Sequence, residues 1–124
     1  MKTILVDAVD TLVIKGEGVH NEMQLLLDSY PNRKIIVSNA NDAELVDYGL
    51  PYELFTLKHN PNKTDPKYFE ILLAKYELEP TDVVYFEHSR EACSSAESLD
   101  IPTYFYDHNA KDLVALKLFL DNTL

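Results

Sequence analysis

Short apolar runs and stretches of helical spacing alternate along the chain. Runs of strand length fall near Thr3–Val6, Lys34–Val37, Tyr52–Leu57, Val83–Phe86 and Thr103–Tyr106. Between the first two, Val19, Met23, Leu26, Leu27 and Tyr30 recur at helical spacing, and Pro31 closes that helix. Asn41 followed by Glu44 reads as a capped helix start, with Gly49 as its stop. Phe69, Leu72, Leu73 and Tyr76 line one face of a third helix. Ser89 is placed to cap a fourth, running through Ala92, Ala96 and Leu99. Asn109 is placed to cap a fifth, with Leu113, Leu116 and Leu120 on its buried side. Strand and helix in alternation predict βαβ units. The expected fold is α/β: a three-layer, doubly wound, Rossmann-like arrangement around a mainly parallel five-stranded sheet.

Right-handed crossovers bring the carboxyl ends of such strands to one edge, where the ligand sites of α/β proteins form. Asp7, Ser38 and Glu87 or His88 fall just after strands, and Lys63 falls just before a helix, so all can reach that edge. The irregular loop Lys58-His59-Asn60-Pro61-Asn62 leads straight into Lys63. No repeat, low-complexity tract or linker divides residues 1–124, which predicts one domain. Most of the 8 tyrosines and 5 phenylalanines sit at core spacing, and Tyr104-Phe105-Tyr106 is expected to alternate across the last strand.

Charge narrows the partners. Lys and Arg total 11 against 21 Asp and Glu, a formal net charge of −10 that repels nucleic-acid backbones and anionic membranes. A phosphorylated ligand remains open, because a local cation overcomes a distant field. Cys93, the single cysteine, excludes an internal disulfide and reads as a small core residue inside a helix. The apolar opening of the chain is interrupted by Asp7 and Asp10, too early for a signal peptide. No apolar run approaches the roughly 20 residues that span a bilayer. A soluble, cytoplasmic protein is expected.

Four segments carry the candidate chemistry. They are Ile4-Leu5-Val6-Asp7-Ala8-Val9-Asp10-Thr11-Leu12, Ile35-Ile36-Val37-Ser38-Asn39, Lys63-Thr64-Asp65-Pro66, and Val83-Val84-Tyr85-Phe86-Glu87-His88-Ser89. In this order and these contexts they resemble the four motifs of the haloacid dehalogenase (HAD) superfamily, over nearly the whole chain. The resemblance implies that Asp7 is the nucleophile that forms an aspartyl-phosphate, and that Ser38, with Asn39 beside it, holds the phosphoryl oxygens. Lys63 would neutralise both Asp7 and the transferred group. Magnesium is the implied cofactor, held by Asp7, the Val9 backbone carbonyl and an acidic fourth motif.

Two of the motifs depart from the family pattern. A second aspartate normally stands two residues after the nucleophile and moves the proton of the leaving group. Here that position is Val9, and general acid–base help is commonly worth about 10² to 10⁴ in rate. Asp10, one residue further on, is the candidate substitute acid. In the fourth motif His88 and Ala92 stand where the two metal carboxylates are expected, and Glu87 and Glu91 repeat the acidic spacing one position early. Imidazole is a poor partner for magnesium. Glu87 is therefore the candidate metal ligand, at a cost in side-chain direction. Glu91 is equally explained as a first-turn helix charge.

The intervals between the motifs leave no room for the cap domain that many HAD enzymes close over substrate. A capless site suits a macromolecular phosphoester, or a small phosphorylated molecule in a site closed by a second copy in a homo-oligomer. Two readings stand. One is a capless HAD-like phosphohydrolase, weakened by the missing acid and carboxylates. The other is a catalytically silent scaffold that binds a phospholigand or a protein. A receiver-like phosphoacceptor is disfavoured, because Tyr52-Glu53-Leu54-Phe55-Thr56-Leu57 offers no aspartate at the third strand's end.

Overall fold

The structure is a computed structural model that describes residues 1–40 and 48–124. Strands β1 (Thr3–Asp7), β4 (Lys34–Ser38), β5 (Glu53–Thr56), β6 (Val83–Glu87) and β7 (Thr103–Phe105) form one parallel sheet in the order β5-β4-β1-β6-β7. The order reverses direction at β1, so β1 is central, and loops that leave its carboxyl end meet those from β4 and β6. This is the doubly wound α/β fold expected from the sequence.

Among the described residues, four α-helices flank the sheet: α1 (Asn21–Asp28), α2 (Pro66–Tyr76), α3 (Arg90–Glu97) and α4 (Leu113–Thr123). The strand period of two divides the core between the faces. Ile4, Val6, Ile36, Val84 and Phe86 pack with Met23 and Leu27 of α1 and with Leu116 and Leu120 of α4. Leu5, Ile35, Val37, Val83 and Tyr85 pack instead with Phe69, Leu72 and Leu73 of α2 and Ala96 of α3. The last strand alternates as expected. Tyr104 stacks on Phe119 of α4, while Arg90 of α3 lies over the Phe105 ring, 3.8 Å from its centroid.

Three details correct the sequence reading. Val19 belongs to a two-residue hairpin, β2 (Val13–Ile14) with β3 (Gly18–Val19), and not to the first helix. Gly16 and Gly18 have φ of +80° and +95°, a backbone that glycine reaches without the Cβ clash and that closes the hairpin. The interval between the first two motifs therefore holds a hairpin as well as a helix. The first helix begins at Asn21, capped by His20, whose Nδ1 accepts from Met23 N at 3.4 Å.

The last helix is capped by Asp112, whose carboxylate accepts from Ala115 N at 3.0 Å, and not by Asn109. Asn109 sits in a turn in which Asp107 accepts from its backbone N–H at 2.9 Å. The helix expected from Asn41 lies outside the described residues. Ser89 caps α3 as expected, accepting from Ala92 N at 3.3 Å. Among the described residues no helix is long and apolar enough to cross a membrane.

Candidate active site

The register places the reactive groups. One step beyond the paired Val6 and Phe86, Asp7 and Glu87 end adjacent strands on the same face of the sheet. Both are buried, at 1% and 0% exposure. Two such carboxylates side by side repel each other unless cations intervene, and two do. Lys63 Nζ donates to Asp7 Oδ1 at 2.7 Å and to Glu87 Oε1 at 2.8 Å from the interior side. On the other side His88 Nδ1 meets Asp7 Oδ2 and lies 3.3 Å from Glu87 Oε2. Thr11 Oγ1 donates to Asp7 Oδ2 at 2.6 Å, and Tyr85 OH donates to Glu87 Oε1.

Lys63 reaches the cluster because its loop is tied to the end of β4. Asn39 Oδ1 accepts from Lys63 N at 2.7 Å, and Asn39 Nδ2 donates to Asn62 Oδ1 at 3.1 Å. Asp65 then accepts from Lys67 N at 3.0 Å and starts α2 just after the lysine. The first residues of α2 return to β4. Tyr68 OH accepts from Ser38 N at 3.0 Å and lies 2.9 Å from Ser38 O. Ser38 Oγ in turn accepts from Ala40 N at 3.0 Å.

The turn after β1 is as tightly held. Ala8 O accepts from Leu12 N and Val13 N, each at 2.9 Å. Asp10 has φ of +69°, at the position where the family pattern most often has glycine. Aspartate is among the few residues that tolerate that region. Its carboxylate lies 3.9 Å from His88 Nε2 and is 40% exposed, on the far side of the imidazole from Asp7.

Charge sets the protonation states. Burial alone pushes Asp7 up, but the Lys63 ammonium and the hydrogen bonds from His88 outweigh it and hold the carboxyl well below its usual range. Burial alone lowers Lys63, but the charges of Asp7 and Glu87 reverse this and hold it protonated. Hydrogen bonds to Asp7 and then Glu87 push His88 from 6.5 up to about 10. At neutral pH the cluster thus holds two cations, Lys63 and His88, against the ionised Asp7. Burial pushes the Cys93 thiol up to about 12, which leaves it inert beside the Glu87 carbonyl, 3.5 Å away.

A cleft of about 300 Å³ opens over this cluster, lined by Asp7, Val9, Ser38, Lys63 and His88, with Lys15 and His59 among the remaining lining residues. Asp10 and Asn39 line it too. Glu87 contributes from beneath. Ala92 is buried in α3, and Glu91 is exposed in the first turn of the same helix.

Sequence reasoning passed over several participants. Tyr85 was legible, since it shares a strand face with Glu87 two residues on. Thr11 entered only as motif spacing. Tyr68 lies two residues past the Lys63-Thr64-Asp65-Pro66 segment and was given no role, and nothing in the sequence marks Lys15.

The donor set can be tested against a magnesium ion. Asp7, Glu87 and His88 offer donor atoms within 4.8 Å of one another, and the two carboxylates supply the hard oxygens that magnesium prefers. The carboxylate oxygens not taken by Lys63, Asp7 Oδ2 and Glu87 Oε2, both face His88 Nδ1. The buried side-chain polar atoms without partners, among the described residues, are His20 Nε2, Ser95 Oγ and Tyr106 OH, none of them in this cluster. The carboxylates fit the ion, and His88 Nδ1 lies against both of those oxygens.

No protein-family model matches the chain, and no curated protein matches its sequence. Solved structures do match. A HAD family enzyme from Bacteroides thetaiotaomicron, in a magnesium complex, superposes with a TM-score of 0.72 at 15% identity, covering 94% of this chain and 98% of that one. An aspartate-to-alanine mutant of that enzyme, with magnesium and inorganic phosphate, gives 0.64 at 16% identity, covering 85% and 93%. An uncharacterized protein from Corynebacterium glutamicum gives 0.65 at 13% identity, covering 98% and 96%. The chain has a HAD-like fold, and its small size fits a capless form.

Proposed function

We propose that the protein is a capless, single-domain HAD-type phosphohydrolase that acts slowly through Asp7. The observation that carries this reading is the convergence of Asp7, Ser38 and Lys63, from three separate segments, on one cleft. The ligand is a phosphomonoester or acyl phosphate. Magnesium, as found with the structural neighbours, would be held by Asp7, Glu87 and the Val9 carbonyl. When bound, it would supply positive charge to the phosphoryl oxygens.

The chain's own groups do the rest. An Asp7 carboxylate oxygen attacks phosphorus, an acyl-phosphate bond forms and the ester P–O bond breaks. The leaving oxygen takes its proton from water, because Val9 has none to give. Water then cleaves the acyl-phosphate, releasing phosphate and restoring the carboxylate. Lys63 offsets the charge of Asp7 as the anionic substrate approaches, and the Ser38 region orients the phosphoryl oxygens. With no cap to exclude water or close on a specific leaving group, a macromolecular phosphoester or a site completed by a second copy is compatible with the open cleft.

A second reading is a silent phospholigand-binding scaffold. It is favoured by one observation: His88 engages the very Asp7 oxygen that also accepts from Thr11, so Asp7 is held by donors on both its oxygens. Hydrolysis of p-nitrophenyl phosphate and acetyl phosphate, with and without magnesium and beside Asp7→Asn, separates the two. Magnesium-dependent turnover lost in Asp7→Asn supports the hydrolase. A folded protein with no rate above that variant would leave the scaffold.

A further inference from the structure

We infer that His88 is a built-in competitor for the divalent cation: its imidazole and the ion use one seat between Asp7 and Glu87, and the ion binds only when the ring swings out. The inference rests on the reading of Asp7 as a HAD-type nucleophile, and it concerns occupancy of a place in the cluster. Glu87 Oε2 has Ser89 N at 3.1 Å and His88 Nδ1 at 3.3 Å, while Asp7 Oδ2 has Thr11 Oγ1 at 2.6 Å as well as the imidazole. Magnesium binds its oxygens at about 2.0–2.1 Å. An ion drawing on both outward carboxylate oxygens would therefore overlap Nδ1.

The two nitrogens that clamp the carboxylates are not equivalent. Lys63 is buried, with 8% of its side chain exposed, and Val37 O lies 3.5 Å behind its ammonium. It has nowhere to go. His88 has 24% of its side chain exposed at the cleft. Beyond the two carboxylates, its ring meets Thr11 Oγ1 at 3.3 Å, the edge of the His108 ring at 5.0 Å and the partly exposed carboxylate of Asp10 at 3.9 Å. The ring's contacts are all with side chains and β6 ends at Glu87, so turning the ring about the Cα–Cβ bond leaves the backbone pairing of the strand intact.

The seat is thus vacated reversibly. Glu87, which a one-residue offset in the motif seemed to misdirect, is already beside Asp7 because β1 and β6 are in register at Val6 and Phe86. The local barrier to metal binding is then one side chain.

Manganese(II), which takes the same oxygen donors and is seen directly by electron paramagnetic resonance of the free ion, is the probe. The full chain, His88→Ala and His88→Asn would be titrated, each with circular dichroism to verify folding. Both variants should bind manganese at least tenfold more tightly than the unmodified protein, and adding Glu87→Gln to His88→Ala should abolish the gain. Equal affinity with and without the imidazole would overturn the inference, as would absence of binding in both folded variants. The spectrum reads the ion and not turnover, so a failed hydrolysis assay leaves this result intact.

Discussion

Two ends of the site share one backbone plan but differ in chemistry. The β1–β4 end keeps what the HAD resemblance implies: Asp7 at the close of a central strand, Ser38 beside it, and Lys63 delivered by a loop pinned to Asn39. The β6 end keeps the strand, the turn and the Ser89-capped helix, yet carries His88 and Ala92 where carboxylates are expected. The difference teaches that fold and reactivity have separate requirements. A strand that packs Val84 and Phe86 on one face and Tyr85 on the other stays in place whatever acid or base ends it. What changes is the cation that answers the two buried carboxylates.

The comparison breaks most visibly at the lysine. Lys63→Met leaves Asp7 and Glu87 facing each other without their interior cation, and losing one partner of a buried ion pair costs about 3–5 kcal/mol. Urea denaturation should show a loss of that order. A loss below about 1 kcal/mol, as for an exposed pair, would mean that the cluster is solvated.

Val9→Asp sharpens the contrast from the other direction. It supplies the acid that the β1 end lacks, and should raise phosphomonoester turnover by about 10²-fold or more if proton transfer limits the rate. Acetyl phosphate, whose leaving group needs no proton, should gain far less. Equal gains on both substrates would contradict the assignment.

At the β6 end, Tyr85→Phe removes the hydroxyl that donates to Glu87 and should cost about 1.5–3 kcal/mol in chemical denaturation, the range for hydrogen bonds to charged groups. A neutral result would show that Glu87 is satisfied without it.

The smallest effect is a pH slope. The folded value for His88, about 10, lies above its ordinary 6.5, so its contribution to stability is full below 6.5 and is lost as pH rises through about 10. The urea midpoint should fall across that interval by more than it does in His88→Asn. Parallel profiles would show that the imidazole carries no linked proton.

Much of this was legible in the sequence. The strand runs are long and apolar, and the order of the four segments points to the sheet edge where Asp7, Ser38 and Lys63 meet. Helix starts were less secure. Asn109 and Asp112 are both good caps three residues apart, and only the turn built on Asp107 decides for the second. The β2–β3 hairpin has two residues per strand, too few for a period to show. Within the site, sequence offset argued against Glu87, because a shift of one residue reverses a side chain on a strand. Strand register, invisible in a single sequence, sets Glu87 beside Asp7. Sequence spacing also gave no hint that His88 would sit between them.

The most direct measurement is intact-mass analysis of the chain, acid-quenched after mixing with acetyl phosphate and magnesium. Asp7 acting as nucleophile requires a fraction of the protein to gain the mass of one phosphoryl group, with the adduct mapped to Asp7 and absent from Asp7→Asn. An unmodified chain under conditions in which phosphate is still released, or an adduct on another residue, would contradict it.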